Sequence, residues 1–122
     1  MKFREIILSS GTRIFLGKNA EDNDELVKQF QGKENILLHT EKPGSPFCVI
    51  DSLKPGKEEI KEAAIITASK SQDWRDNKKD VKINIFNGKN VHKEKIMKSG
   101  TWGIKGKVKR LTIKKEEILD LK

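Results

Sequence analysis

The stretch 35-NILLHTEKPGSPFCVID-51 decides the fold. Two apolar runs, Asn35–Glu41 and Phe47–Asp51, flank the segment Pro43-Gly44-Ser45-Pro46. Proline presets φ and glycine supplies the positive φ of a tight reversal, so the runs predict two strands, the third and fourth of the chain. Pro46 has no donor for a ladder and belongs at a strand start or edge. His39 closes the first run, where its imidazole either bonds a backbone carbonyl or faces a ligand.

Working outward, Lys2–Leu8 and Thr12–Gly17 are apolar-rich runs separated by Ser9-Ser10-Gly11, a hairpin signal. In 19-NAEDNDELVKQF-30, Asp22 and Glu25 stand at capping-box spacing, Leu26, Val27 and Phe30 recur at helical intervals, and Gly32 ends the pattern. Beyond Pro55-Gly56, 57-KEEIKEAAIITASKSQDW-74 places Ile60, Ala63, Ala64, Thr67 and Ala68 on one stripe of a helix, whose small residues permit close approach to a sheet. Asp80–Phe86 alternates as a half-buried strand with Asn87-Gly88 as its turn, Lys107–Ile113 reads as another strand, and Lys114–Leu121 as a terminal helical turn or two. The expectation is an α+β fold. Residues 1–122 form a single domain, an antiparallel or mixed sheet with two main helices packed on one side.

Composition narrows the chemistry. A chain of 122 residues suffices for one modest core, and 36% charged against 34% hydrophobic residues describes a highly charged globular protein. The single Cys48 has no partner for an internal disulfide, and no apolar run reaches the length of a membrane span or a signal h-region, so a reducing cytoplasmic setting is expected. The net charge of +8 is lopsided: residues 1–80 carry 14 basic and 14 acidic side chains, whereas residues 81–122 carry 12 basic against Glu94, Glu116, Glu117 and Asp120. A one-sign field of that kind attracts polyanions such as nucleic acid.

Catalytic and metal readings find little. His39, Ser45, Cys48 and Asp51 lie close in sequence, but strand alternation separates them, Cys48 sits in an apolar run, and no G-x-S-x-G elbow occurs. His39 and His92 with one cysteine make no recognisable ligand spacing, so no metal or cofactor is expected. Phosphate-loop motifs are absent, and 103-GIKG-106 matches the G-x-x-G of a KH clamp only as an isolated turn ahead of a strand. The chain is expected not to be an enzyme.

Basic residues interleaved with aromatics point elsewhere. Trp102 lies between Lys98 and Lys105, either as a platform for base stacking or as a core residue. Trp74 carries the same two readings, and the neighbouring Lys70, Arg75, Lys78 and Lys79 are offset by Asp73, Asp76 and Asp80.

Taken in order, 10-SGTRIFLGKNAEDNDEL-26, 38-LHTEKPGSPFCVI-50, 62-EAAIITASK-70 and the glycine- and lysine-rich stretch before Val108 resemble the NFACT-R domain, the RNA-binding module of NFACT ribosome quality-control factors. The resemblance rests on Gly17, Lys18, Asn19, Asn23, Asp24 and Leu26, on His39, Pro43, Gly44 and Ser45, and on Ala63, Ala64, Ser69 and Lys70. It departs at Leu37, where the family often has Trp, and at Pro46, where it often has His. It implies a stand-alone module, with a separate protein partner supplying the other NFACT regions, and places His39, Lys18 and Asn19 where they could contact a ligand.

The expected function is therefore recognition of structured RNA, rRNA or tRNA, with the large ribosomal subunit as a possible partner and no membrane association. The candidate contacts are Lys18, Asn19, His39, Lys70, Lys93, Lys95, Lys98, Trp102, Lys105, Lys107, Lys109 and Arg110, with the last-third lysines converging on one surface. Lysine is a point charge with little base-reading geometry, so backbone and shape recognition should dominate, and about five phosphate contacts give a log K against log salt slope of roughly −3 to −5. A protein adaptor or a DNA-binding module are the alternatives.

Overall fold

Strand periodicity and turn chemistry account for most of the architecture seen in the computed structural model, which describes residues 3–121. In chain order the strands are β1 (Arg4–Ile7), β2 (Arg13–Leu16), β3 (Ile36–Thr40), β4 (Cys48–Ile50), β5 (Val81–Asn87), β6 (Val91–His92), β7 (Gly103–Ile104) and β8 (Lys109–Ile113). The helices are α1 (Ala20–Phe30), α2 (Lys57–Ser69), α3 (Gln72–Asn77) and α4 (Lys115–Leu119). Six strands make one antiparallel sheet in the order β1-β2-β4-β3-β5-β8, and β6 pairs with β7 separately. The β1–β2 hairpin closes through Gly11 N–H to Leu8 O (2.9 Å), and Ile6 faces Ile14 across it. Lys2, where the first strand was expected to begin, lies outside the described residues. The runs around Pro43-Gly44 do pair, Leu37 with Val49 and Leu38 with Cys48.

The α+β antiparallel fold is as the sequence implies, but the helices do not share one side. Alternation along each strand sends Ile14, Leu16, Leu38, Cys48, Ile50 and Ile83 to one face, where they pack on Ala63, Ala64 and Ala68 of α2 and on Trp74 of α3. The intervening Phe15, Leu37, Val49 and Phe86 point the other way, onto Leu26 and Val27 of α1. Both faces of these strands are apolar, so the sheet needs a cover on each, and α1 supplies the second.

Two local expectations are corrected and one feature is new. The cap of α1 is Asn19, whose side-chain oxygen accepts the Asp22 N–H at 2.8 Å, so the helix starts before Asp22 rather than at it. The helix expected over 57–74 breaks after Ser69, because the Ser71 hydroxyl donates to Ala68 O (2.7 Å) and accepts the Trp74 N–H (3.1 Å), ending one helix and capping the next. The pair β6–β7 was not anticipated: two-residue strands are too short to show alternation.

Candidate nucleic-acid interface

Three loops and the end of α2 enclose a groove of about 700 Å³. Its walls are Gly17–Ala20 ahead of α1, Pro43–Phe47 between β3 and β4, Ser99–Trp102 ahead of β7, and Ser69, Lys70 and Arg75 from the α2–α3 junction, with Arg4 of β1 at the margin.

Each loop is pinned by one polar side chain. Asn23, on the first turn of α1 and buried, accepts the Phe47 N–H (3.0 Å) and donates to Ser45 O (3.5 Å), tying α1 to the Pro-Gly-Ser turn. Gly17 makes room for it: a Cβ there would lie 2.0 Å from Asn23 Oδ1. At Gly44 (φ +92°) the backbone carbonyl accepts the Gln72 N–H at 2.9 Å, so the same turn is fastened to the start of α3. Asp24 holds the third loop, accepting from Gly100 N–H (2.8 Å), Ser99 Oγ (3.0 Å), Trp102 Nε1 (3.0 Å) and Lys93 Nζ (3.1 Å). Partial burial pushes the Asp24 carboxyl up, but these donors prevail and hold it below its usual value.

The electrostatics of the groove are one-sided. Arg4, Lys18, Lys70 and Arg75 line it, and among the described residues no Asp or Glu does. None of the four has a carboxylate within ion-pair distance among the described residues. Lys70 is half-buried, and burial together with the positive charge of Arg4 pulls its pKa below the ordinary lysine value. Two cations held near one another without a counter-ion are relieved by an anion between them. Arg75 is oriented rather than neutralised, donating to Lys70 O (3.2 Å) and Gln72 Oε1 (2.8 Å).

His39 lines the same groove as a half-buried ring stacked on Phe47, with centroids 4.3 Å apart. Its Nδ1 is 2.8 Å from Thr40 O, so that nitrogen carries the proton. Burial outweighs the carbonyls of Thr40 and Ser45 and lowers its pKa, leaving the ring neutral at pH 7. It contributes a surface and not a charge. The other residues near it in sequence are dispersed in role: Ser45 Oγ accepts the Thr40 N–H (3.2 Å) and lies 2.8 Å from the Thr40 hydroxyl, whose own proton goes to Lys42 O, and Cys48 is fully buried with its thiol pushed up to about 12.

Of the expected contacts, the groove gathers Lys18, Asn19, His39, Lys70 and Trp102. Asn19 spends its carboxamide oxygen on the α1 cap. Trp102 is half-buried with its indole N–H given to Asp24, and the Lys93 ammonium lies 5.4 Å from its ring centroid. Lys93 is a structural clamp, bonded to Asp24 and to the carbonyls of Lys98 and Thr101 (both 2.8 Å). Lys95 and Lys98 stand exposed on the loop after β6, and Lys105 is exposed after β7. Lys107, Lys109 and Arg110 line a different groove, beside Ile60 at the other end of α2. None of the described last-third lysines lines the first groove: Lys93 is drawn to Asp24, and Lys107, Lys109 and Arg110 line the second. Lys89 and Lys114 are moreover paired with Glu34 (3.0 Å) and Asp80 (3.6 Å). Arg4 was missed, because nothing near it in sequence belongs to the groove. Arg75, expected on a salt-bridged face, has no acidic partner for its guanidinium among the described residues.

Comparison with known proteins gives a consistent picture. The family described as "NFACT protein RNA binding domain" matches residues 2–106. An archaeal Rqc2 homolog, aRqcH of Methanocaldococcus jannaschii, is 29% identical over 76 residues, which is 61% of this chain and 11% of that protein. The Rqc2 homolog RqcH of Bacillus subtilis is 37% identical over 67 residues, 53% of this chain and 12% of that protein. The chain thus spans about a tenth of the curated relatives' length. The C-terminal part of the fibronectin/fibrinogen-binding protein of Streptococcus suis superposes with a TM-score of 0.80 at 28% identity, covering 100% of this chain and 49% of that one.

Proposed function

The chain belongs to the family of NFACT protein RNA binding domains, and from that premise we propose that it binds structured RNA by seating the phosphate backbone in the groove between α1, the Pro43–Phe47 turn and the end of α2. The observation that carries this reading is the lining itself, four cations without a carboxylate. Phosphates supply the missing counter-charge, and releasing the RNA's condensed cations adds to the driving force. Lys18 and Lys70 act as point charges, whereas Arg4 and Arg75 offer planar forks for two phosphate oxygens. Glycine backbones at the loop tips let the strand come close, and the neutral His39 ring and the half-buried Trp102 indole give sugar and base an apolar wall.

The RNA we assign is ribosomal or transfer RNA, in keeping with relatives named as Rqc2 homologs, and recognition is by shape and backbone more than by base. The test is an anisotropy titration of labelled tRNA and of a DNA hairpin with equal phosphate number. Tighter binding of the RNA, with Arg4→Gln and Lys70→Gln each weakening it, supports the assignment. Equal affinity for the tRNA and the DNA hairpin, or binding indifferent to both substitutions, contradicts it.

A further inference from the structure

The second groove lies where α2 begins, and its character differs from the first. Its volume is about 570 Å³, and its floor is aliphatic: Ile36, Ile60, Ile85 and Leu111 are only partly covered although they abut the core. Around that floor stand Lys57, Lys61, Lys107, Lys109 and Arg110, again with no carboxylate in the lining among the described residues. Lys61 has Glu117 at 2.8 Å; the other four cations have no ion-pair partner among the described residues. One wall is β8, the last strand in the sheet order, which pairs with β5 alone and leaves its outer amides and carbonyls without a ladder partner.

We propose that this groove docks an extended acidic peptide bearing aliphatic side chains, laid along β8 as an added strand. An extended chain alternates its side chains, so apolar residues reach the Ile60–Leu111 floor while the backbone completes the open ladder. Acidic residues, alternating to the other face, meet Arg110, while Lys107 and Lys109, on the Leu111 side of the strand, ring the apolar floor and add to the positive field that draws the peptide in. Nucleic acid fits this place poorly. Among the described residues the only aromatic side chain in the lining, Phe86, is buried at 3% exposure and packs on the opposite face of the sheet, so it offers no stacking platform. The α2 rise of 1.5 Å per residue separates Lys57 from Lys70 by roughly 20 Å, enough for both grooves to be filled at once.

The test uses the intact chain and a blocked heptapeptide alternating aspartate with leucine, followed by amide shifts. Perturbations should fall on Ile60, Ile85, Lys109 and Leu111, and the paired exposed substitutions Lys107→Glu and Lys109→Glu should weaken binding by about tenfold or more. Ile60→Gln, which leaves the cations in place, should weaken it as well. Heptaglutamate binding as tightly as the leucine-containing peptide, shifts falling on Lys18 and Lys70 instead, an RNA oligomer displacing the peptide, or no shift at millimolar peptide would each overturn the assignment.

Discussion

Asp24 Oδ1 accepts the indole N–H of Trp102 at 3.0 Å, across 78 positions of sequence, and this bond fastens the lysine-rich loop to α1. The same carboxylate takes three more donors, so the wall of the RNA groove depends on one acidic group.

Asp24→Asn puts an amide donor among donors. The substitution should lower stability by about 1–3 kcal/mol, the cost of donors left unpaired in a partly covered site. Urea unfolding reads the loss, and hydrogen exchange at Gly100 should accelerate more than at Ile83 in the sheet centre. Equal acceleration at both amides would mean that the loop is not what Asp24 holds.

The same group sets a pH dependence. Its folded-state pKa is depressed, so its stabilisation is present above the unfolded aspartate value and is lost as pH falls through the folded one. Protection of the Gly100 amide should therefore be unchanged from neutrality to about pH 4 and decline below it.

Glu59 gives a parallel case on the other side of the molecule. It accepts from Ser10 Oγ (2.7 Å), Thr12 Oγ1 and Gly56 N–H (2.9 Å), and these donors lower its pKa from 4.5 to about 2. Stabilisation is complete above the unfolded glutamate pKa and vanishes as pH drops through the folded value. Thermal melts between those limits should show the wild type losing more of its Tm than Glu59→Gln; parallel losses would contradict the assignment.

Gly17→Ala tests the joint between α1 and the Pro-Gly-Ser turn. The added methyl would meet Asn23 Oδ1 at 2.0 Å and displace the side chain that pins Phe47. A destabilisation of about 1–3 kcal/mol is expected, as for an overpacked site. RNA affinity should fall with it, and affinity preserved despite lost stability would separate the joint from the groove.

How legible was this in the sequence? The hairpin at Gly11 and the β3–β4 pairing were readable because turn residues and alternation are local signals. The placement of α1 was not: a helix wheel shows that Leu26 and Val27 need cover, but which face of the sheet provides it depends on Phe15, Leu37 and Val49 reading as a second apolar face. Half of the groove was legible in Lys18, His39 and Lys70. Arg4 joins it only because β1 lies beside β2 at the sheet edge, and Lys93 leaves it because Asp24, distant in sequence, captures the ammonium. Net charge along a chain records how many cations are present. It does not record which acid each one meets.

The most direct test of the central claim is the salt dependence of tRNA binding, compared between the wild type and a variant carrying Arg4→Gln, Lys18→Gln, Lys70→Gln and Arg75→Gln. The account predicts a wild-type slope of log K against log salt of roughly −3 to −4, flattened toward zero in the variant. A variant that keeps the wild-type slope would show that the phosphates are held elsewhere on the molecule.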